Sequence, residues 1–329
     1  MKDIILNNGV RIPQIGLGTF LIPKEILSQT IGKAFELGYR SFDTAWKYHN
    51  EKEIAQAFKD NGIQRKDVFL TTKISAAALH FGKYKYGRRS MMNIPNFRRI
   101  KDVIQESIDN LGTDYVDLFL IHYPYPESDK MWRALDDIYC EGRIRAIGVS
   151  NFLSPHLDAL KDCSNIIPAV NQFEISPLNT QKALIADCQT RGIAVEAMST
   201  FSHFRSVEPR EEIMKHPYLV EMANSHGKSV VQIVLRWLFQ QNIIMIPKTW
   251  NFNHLAENIS VLDFALSDEE MSIVDSIDKG KFLNYNPLGQ QQGFVRNHLD
   301  WPGFIQWNQE TKVSLKDRIN NIFNINHIN

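Results

Sequence analysis

Short runs of β-branched and aromatic residues recur along the chain, and most of the intervals between them have the apolar spacing of an amphipathic helix. The runs predict strands that end near Thr19, Asp43, Lys73, His122, Ser150, Glu174, Ser199 and Lys248. The intervals predict helices over residues 24–37, 50–61, 98–111, 130–141, 155–162, 179–190 and 228–241. Gly38 and Gly192, just after two of these helices, and Pro155 at the start of another are the expected stop and start signals.

Alternating strands and helices predict parallel pairing, and eight such units suit a closed (β/α)8 TIM barrel better than an open doubly wound sheet. We find no linker-like, low-complexity or repeated segment, so residues 1–329 are predicted to form a single barrel domain. Residues 1–14 carry an Asn-Gly turn between two short extended runs, which predicts a β-hairpin that closes the amino-terminal end of the barrel. From about residue 280 to residue 329 the chain continues as a C-terminal segment.

Composition favours a small-molecule partner. Lys plus Arg and Asp plus Glu both number 37, so no overall field attracts nucleic acid or an anionic membrane. Three widely spaced cysteines, Cys140, Cys163 and Cys188, fit neither a disulfide framework nor a zinc site and favour a reducing cytoplasm. The polar N-terminus lacks the features of a signal peptide, and no apolar run reaches the ~18 residues of a membrane span. A cytoplasmic monomer or weak homo-oligomer is expected.

Four polar residues lie at or just past predicted strand ends: Asp43, Tyr48, Lys73 and His122. Side chains at the carboxyl ends of successive parallel strands converge, so these four are predicted to share one pocket. Singly, each could be a strand-end cap, a half-buried ring or a surface base. Together they give an acid, a phenol, a base and an imidazole, which is a candidate catalytic group. His49, beside Tyr48, is interpreted as a solvated neighbour, and no cluster has the spacing of a metal site.

With these motifs in order, the chain resembles the aldo-keto reductase family, and in particular its bacterial-type aldehyde and ketone reductases. The matching pieces are Gly16-Leu17-Gly18-Thr19, Phe42-Asp43-Thr44-Ala45, Tyr48, Thr72-Lys73, Leu120-Ile121-His122-Tyr123-Pro124, Gly148-Val149-Ser150-Asn151-Phe152, Asn171-Gln172, Ile246-Pro247-Lys248-Thr249 and Glu257-Asn258. Each piece alone is weak evidence, but the ordered set is specific.

The chemistry of the four residues agrees with what the resemblance implies. A phenol with a pKa of about 10 is a poor acid at neutral pH, so Lys73 is expected to lower the pKa of Tyr48. Asp43 would keep Lys73 charged and oriented. His122 would hold the substrate carbonyl near Tyr48, which protonates the oxygen as a reduced nicotinamide delivers hydride to the carbon. No metal is required.

The cofactor is expected to bind without a Rossmann loop, because Gly16-Leu17-Gly18 lacks the third glycine. The resemblance assigns the nicotinamide carboxamide to Ser150, Asn151 and Gln172, although the first two could form a simple turn and the third a buried strand amide. It assigns the ribose 2′-phosphate to Lys248 and Thr249, which favours NADPH. The full expected set is Gly18, Thr19, Asp43, Ser150, Asn151, Gln172, Met198, Ser199, Lys248, Thr249, His254, Glu257 and Asn258. Glu257 and Asn258, expected at the adenine end, could instead be exposed polar positions.

Two positions depart from the family pattern. Met198 stands where an aromatic ring usually stacks on the nicotinamide, and it could equally be ordinary core. His254 stands where an arginine usually binds the 2′-phosphate, so discrimination for NADPH is expected to fall by about 1 to 2 kcal/mol. Lys248 is still expected to make the protein prefer NADPH, and use of NADH as well is left open.

Phe20, Trp46 and Tyr123 are expected to line a substrate pocket with Tyr48 and His122, or else to be packing residues. The region 75–78 lacks the family's usual tryptophan. A basic and aromatic insertion at residues 79–97 is interpreted as a lid or as a solvated loop, and Trp301 and Trp307 are further possible contacts. The predicted function is NADPH-dependent reduction of an aldehyde or ketone. The alternative is a nicotinamide-binding regulatory or sensor subunit with little turnover.

Overall fold

A computed structural model describes residues 2–76, 78, 97–201 and 208–282. Within these residues, eight parallel strands form one sheet in which each strand pairs with its neighbour in sequence. They are β3 (Leu17–Gly18), β4 (Ser41–Asp43), β5 (Phe69–Ile74), β6 (Val116–Ile121), β7 (Ile144–Ser150), β8 (Val170–Glu174), β9 (Ala194–Met198) and β10 (Ile244–Met245).

Main-chain bonds join the last strand to the first and close the barrel. Met245 N donates to Gln14 O and Gly16 N donates to Met245 O, each over 2.8 Å, around a parallel bridge between Ile15 and Met245. The predicted (β/α)8 fold is therefore confirmed. The strands are buried along most of their length because helices cover the outside of the sheet.

The helices alternate with the strands, and most of them begin or end at the expected signals. They are α1 (Lys24–Glu36), α2 (Glu51–Asp60), α3 (Phe97–Asn110), α4 (Ser128–Cys140), α5 (Ser154–Lys161), α6 (Lys182–Thr190), α7 (Glu208–Met214), α8 (Pro217–His226), α9 (Val230–Gln240), α10 (Phe252–Ile259) and α11 (Asp268–Ser276). Shorter 3₁₀ turns span Trp46–Tyr48, Arg65–Asp67 and Ser260–Leu262. Among the described helices, none has the length and apolar character needed to cross a membrane.

The N-terminal hairpin is confirmed as β1 (Asp3–Ile5) paired with β2 (Arg11–Pro13), and Gly9 in its turn has a φ of +84°. Ile12 and Leu6 are buried in one cluster with inward-facing strand residues. That cluster also contains Phe69, Leu118, Leu120, Ala146, Ala169, Val170 and Ile244. The hairpin thus forms an apolar floor at the amino-terminal end of the strands.

The structure differs from the sequence predictions at the end of the last strand and between β9 and β10. The last strand ends at Met245 rather than near Lys248, since Pro247 has no N–H to donate to a ladder. Helices α7 and α8, between β9 and β10, were not predicted. Of the predicted insertion at 79–97, residues 79–96 lie outside the described residues, and so does the segment from 283 onward with Trp301 and Trp307.

Candidate active site

The predicted catalytic residues meet at the carboxyl ends of neighbouring strands. Asp43 is the last residue of β4, Lys73 lies near the end of β5, and His122 directly follows β6. Tyr48 ends the 3₁₀ turn that follows β4. Parallel pairing of β4, β5 and β6 brings these side chains to one end of the barrel, opposite the hairpin floor.

Lys73 and Asp43 form a fully buried ion pair. Lys73 Nζ donates to Asp43 Oδ1 and Oδ2 over 2.6 and 2.7 Å, and to the main-chain oxygen of Thr44 over 3.0 Å. Each N–H of the ammonium therefore has a hydrogen-bond acceptor, which offsets the free-energy cost of removing two charges from water.

Tyr48 lies among aromatic rings beside this pair. Its ring centroid is 4.6 Å from that of Phe20 and 5.7 Å from that of His122, and Lys73 Nζ is 5.3 Å from it. Burial, followed by the charges of Asp43 and Glu196, raises the pKa of Tyr48 well above its ordinary value of 10. The net shift is thus opposite to the expected lowering by Lys73, because burial and the charges of the two carboxylates outweigh the attraction of the ammonium for the phenolate.

His122 is buried and neutral. Burial, followed by the positive charges of Lys73 and Lys47, holds the pKa of His122 well below 6.5. Its ring stacks on that of Tyr123 at 4.9 Å with an interplanar angle of 13°. Within the described part of the chain, no group hydrogen-bonds to His122 Nδ1. A neutral imidazole carries one N–H donor, which suits it to orient a carbonyl oxygen.

Asn151 connects the ends of β6, β7 and β8. Its Nδ2 donates to His122 O over 3.1 Å and to Ser150 Oγ over 3.0 Å, and its main-chain N–H donates to Gln172 O over 2.8 Å. The residue is buried with a φ of +63°, an uncommon conformation for a residue other than glycine. Ser150 is the last residue of β7 and Asn151 lies in the bend that follows, so the two do not form a simple turn, and both lie at the same strand ends as His122.

Gln172 lies between two carboxylates. Its Nε2 donates to Asp43 Oδ2 and to Glu196 Oε2, each over 3.0 Å. Glu196, in the middle of β9, is buried, and burial followed by the charge of Asp43 raises its pKa to about 7. Sequence reasoning missed Glu196. The available signal was a lone charged residue within the otherwise apolar run 194–198.

The predicted cofactor residues at the first and last strands lie side by side. A Cβ at Gly18 would lie 2.8 Å from Ile246 O and 3.6 Å from the Cβ of Lys248, so only glycine allows this approach. Thr19 Oγ1 donates to Asp43 O over 2.8 Å, which joins β3 to β4. Lys248 is exposed, with its Nζ 4.7 Å from the ring centroid of Trp250.

The remaining predicted residues of this region lie on or near α10. Thr249 Oγ1 accepts from Asn251 N, and the Asn251 side chain caps α10 by accepting from the main-chain N–H of His254. The His254 side chain is exposed. Glu257 is half-buried and Asn258 is buried, so neither is a fully exposed polar position.

Met198 is the last residue of β9, Ser199 follows it, and both are half-buried. Ser199 has a φ of +54°, and its Oγ lies 3.7 Å from Met198 Sδ. Met198 is thus accessible at the end of its strand and is not enclosed in the core.

The predicted substrate residues lie beside Tyr48 and His122 in space or in sequence. Phe20 contacts Tyr48, Tyr123 stacks on His122, and Trp46 precedes Tyr48 in the same turn. All three are partly exposed. In the described ranges, no three His, Cys, Asp or Glu side chains form a group that could hold a metal ion.

Comparisons with known proteins identify the family of the chain. The model of the Aldo/keto reductase family matches residues 14–279. Morphine 6-dehydrogenase of Pseudomonas putida is 37% identical over 293 residues, which cover 86% of this chain and 94% of the relative. Glyoxal reductase of Bacillus subtilis is 34% identical over 290 residues, covering 87% and 97%. The crystal structure of a Bombyx mori aldo-keto reductase in complex with NADP superposes with a TM-score of 0.74 at 33% identity, covering 86% of this chain and 94% of that one. The chain belongs to the aldo/keto reductase family.

Proposed function

We propose that the protein is a nicotinamide-dependent carbonyl reductase that prefers NADPH and reduces an aldehyde or ketone to an alcohol. The observation that carries this proposal is the buried Lys73–Asp43 pair beside a neutral phenol, Tyr48, and a neutral imidazole, His122. The names of two relatives, a morphine 6-dehydrogenase and a glyoxal reductase, support chemistry at a carbonyl or hydroxyl carbon.

The polar groups at the barrel mouth fit a nicotinamide dinucleotide. Gln172 uses its amide N–H groups on two carboxylates, so its Oε1 is left to accept from a carboxamide. Ser150 and Asn151 lie on the adjoining strand end, and Gly18 leaves room beside Lys248. Lys248 supplies a cation for a 2′-phosphate. The Bombyx mori relative was solved in complex with NADP, which supports the choice of cofactor.

In the proposed mechanism each residue has one task. When bound, the reduced nicotinamide supplies the hydride. His122, held neutral by burial and neighbouring lysines, donates its ring N–H to the carbonyl oxygen and places that oxygen near Tyr48. Tyr48 is protonated throughout the neutral range and gives its proton to the oxygen as negative charge develops there.

Lys73 and Asp43 act around Tyr48. The ammonium beside the phenol ring stabilises the phenolate that remains after proton transfer, and Asp43 holds the ammonium in place. Phe20, Trp46 and Tyr123 form apolar walls that exclude water from the reacting oxygen.

The test is the loss of NADPH absorbance with a panel of aldehydes, in the wild type and in Tyr48→Phe. The variant should lose about 100-fold to 10,000-fold in kcat, the scale of general acid catalysis, while NADPH binding is retained. Tyr115→Phe is the matched control, because Tyr115 precedes β6 at the opposite end of the barrel and packs on Arg65. A wild type that binds NADPH but reduces no aldehyde or ketone would contradict the proposal and favour a regulatory, nicotinamide-binding role.

A further inference from the structure

Glu196 is a buried carboxyl group to which the mechanism above gives no task. It lies in the middle of β9 and faces the barrel interior, where Asp43 and Lys73 are its nearest charged influences. In the described residues, no lysine, arginine or histidine forms an ion pair with it, and its hydrogen-bond partner is Gln172. A buried acid without a cation costs free energy, which argues for a function that compensates for the cost.

The hydrogen bonds of Gln172 indicate what the function of Glu196 is. An amide nitrogen carries two hydrogens, and in Gln172 one is donated to Asp43 Oδ2 and the other to Glu196 Oε2. If the amide turned over above pH 7, where Glu196 is ionised, its oxygen would face two carboxylate oxygens, which is strongly unfavourable. The two carboxylates together therefore determine which end of the Gln172 amide is left facing the barrel mouth.

Asp43 alone would fix the orientation of the Gln172 amide less firmly. Its Oδ2 also accepts from Lys73 Nζ over 2.7 Å, so this oxygen is shared between two donors. A single hydrogen bond to this oxygen also leaves the amide plane free to rotate about the bond. Glu196 supplies the second anchor, on the opposite side of the amide and from a different strand.

We propose that Glu196 is a positioning residue that fixes the Gln172 amide with its oxygen toward the nicotinamide, so that Gln172 accepts from the carboxamide N–H of the cofactor. This rests on the proposed function, in which a nicotinamide binds at the ends of β7 and β8. Glu196 itself acts through Gln172 and does not touch the cofactor. Burial, followed by the nearby charge of Asp43, raises the pKa of this carboxyl group to about 7.

The experiment compares two oxidised cofactors by their dissociation constants, measured from quenching of protein fluorescence. One is NADP⁺, and the other is its 3-acetylpyridine analogue, in which a methyl group replaces the carboxamide NH₂. The wild type should bind the analogue about 10-fold more weakly, the scale of one lost hydrogen bond whose acceptor is left unpaired. Glu196→Met removes the anchor with little change of length and should reduce this ratio to about 2-fold or less.

Two further variants separate positioning from general damage. Glu196→Gln keeps an acceptor oxygen for Gln172 and should retain a ratio close to that of the wild type. Glu51→Gln is the matched control, since Glu51 is a buried glutamate that accepts from Thr72 and Asn110 on another side of the barrel. It should also retain the ratio. A merely structural defect would weaken the binding of both cofactors equally and leave the ratio of their dissociation constants unchanged.

The inference is overturned if Glu196→Met keeps the wild-type ratio, if Glu51→Gln loses it, or if the wild type does not discriminate between the two cofactors. Should the Met variant fail to fold, Glu196→Ala takes its place with the same expected ratio. A wild type that binds neither cofactor would instead contradict the proposed function, so the two failures are distinguishable.

Discussion

The Nδ2 atom of Asn151 donates to the main-chain oxygen of His122 over 3.1 Å, which ties the end of β7 to the residue after β6. Asn151 reaches this position with a φ of +63°. A positive φ is normally adopted by glycine, so the side-chain hydrogen bonds of Asn151 compensate for the strain of its backbone. The proposed imidazole donor and the proposed carboxamide site are thereby fixed to each other.

This geometry reverses the usual ranking of alanine and glycine. Asn151→Gly loses the side-chain hydrogen bonds but keeps an allowed backbone, whereas Asn151→Ala loses the same bonds and retains a strained Cβ. We expect the alanine variant to be less stable than the glycine variant by about 1 kcal/mol in urea unfolding. At Ala186, an exposed position in α6, the Ala186→Gly variant should instead be less stable than the protein with alanine. An alanine variant at 151 as stable as the glycine variant would contradict the strain argument.

The Lys73–Asp43 pair predicts a large and non-additive effect on stability. Lys73→Met leaves the Asp43 carboxylate buried without its cation and should cost about 3 to 5 kcal/mol of unfolding free energy. The double variant Asp43→Asn/Lys73→Met buries no charge and should recover part of that loss. Lys215→Met, which breaks an exposed pair with Glu211, should barely change stability. Equal unfolding free energies for Lys73→Met and the double variant would argue against a buried ion pair.

Glu196 predicts a stability effect whose size depends on pH. Its pKa rises from an ordinary 4.5 to about 7 in the fold, so the folded protein holds this proton more tightly than the unfolded chain does. Stability is therefore lost as pH rises from about 4.5 to about 7, and the full penalty applies above 7. Glu196→Gln should raise the unfolding free energy at pH 8 by about 1 to 3 kcal/mol and change it little near pH 4.5.

The control for this prediction is Glu221→Gln, which alters an exposed glutamate on α8 and should have little effect at either pH. Urea unfolding of each variant and of the wild type at the two pH values provides the measurement. A gain from Glu196→Gln that is the same at pH 4.5 and pH 8 would show that the carboxylate charge is not its cause.

Cofactor preference should depend on Lys248 and His254. Lys248→Ala removes the cation proposed to face the 2′-phosphate and should lower the ratio of kcat/KM for NADPH over NADH by about 10-fold or more. His254→Arg adds a permanently charged, two-pronged donor and should raise the same ratio by about 10-fold. Lys161→Ala, on the exposed face of α5, serves as the control. A wild type with higher kcat/KM for NADH would contradict the proposed NADPH preference.

The sequence was a good guide to the barrel because periodicity and strand-end chemistry are local signals. Apolar runs located all eight barrel strands, and the Asn-Gly turn located the hairpin. The short helices α7 and α8 were missed, although Pro217 at the start of α8 and Gly227 just after it are ordinary helix signals.

The interior of the site was less predictable because it depends on register between distant strands. The contact of Glu196 with Gln172 exists because those two residues pair across β8 and β9. Likewise, the sequence predicted that Asp43 holds Lys73, but it did not reveal the further hydrogen bond of the ammonium to the main-chain oxygen of Thr44. Burial and unbalanced negative charge therefore determine the direction of the Tyr48 pKa shift.

The hairpin floor has a consequence for the order of events during turnover. Ile12 and Leu6 fill the amino-terminal end of the barrel, so molecules that react at the strand ends must arrive and depart on the opposite side. Two reactants that share one entrance bind and leave in a fixed order, in which the one that binds deeper enters first and leaves last. In the proposed reaction the nicotinamide would lie beside the buried Gln172 and the substrate beside the partly exposed Phe20 and Tyr123, so we expect departure of the oxidised cofactor to be the final step of each cycle.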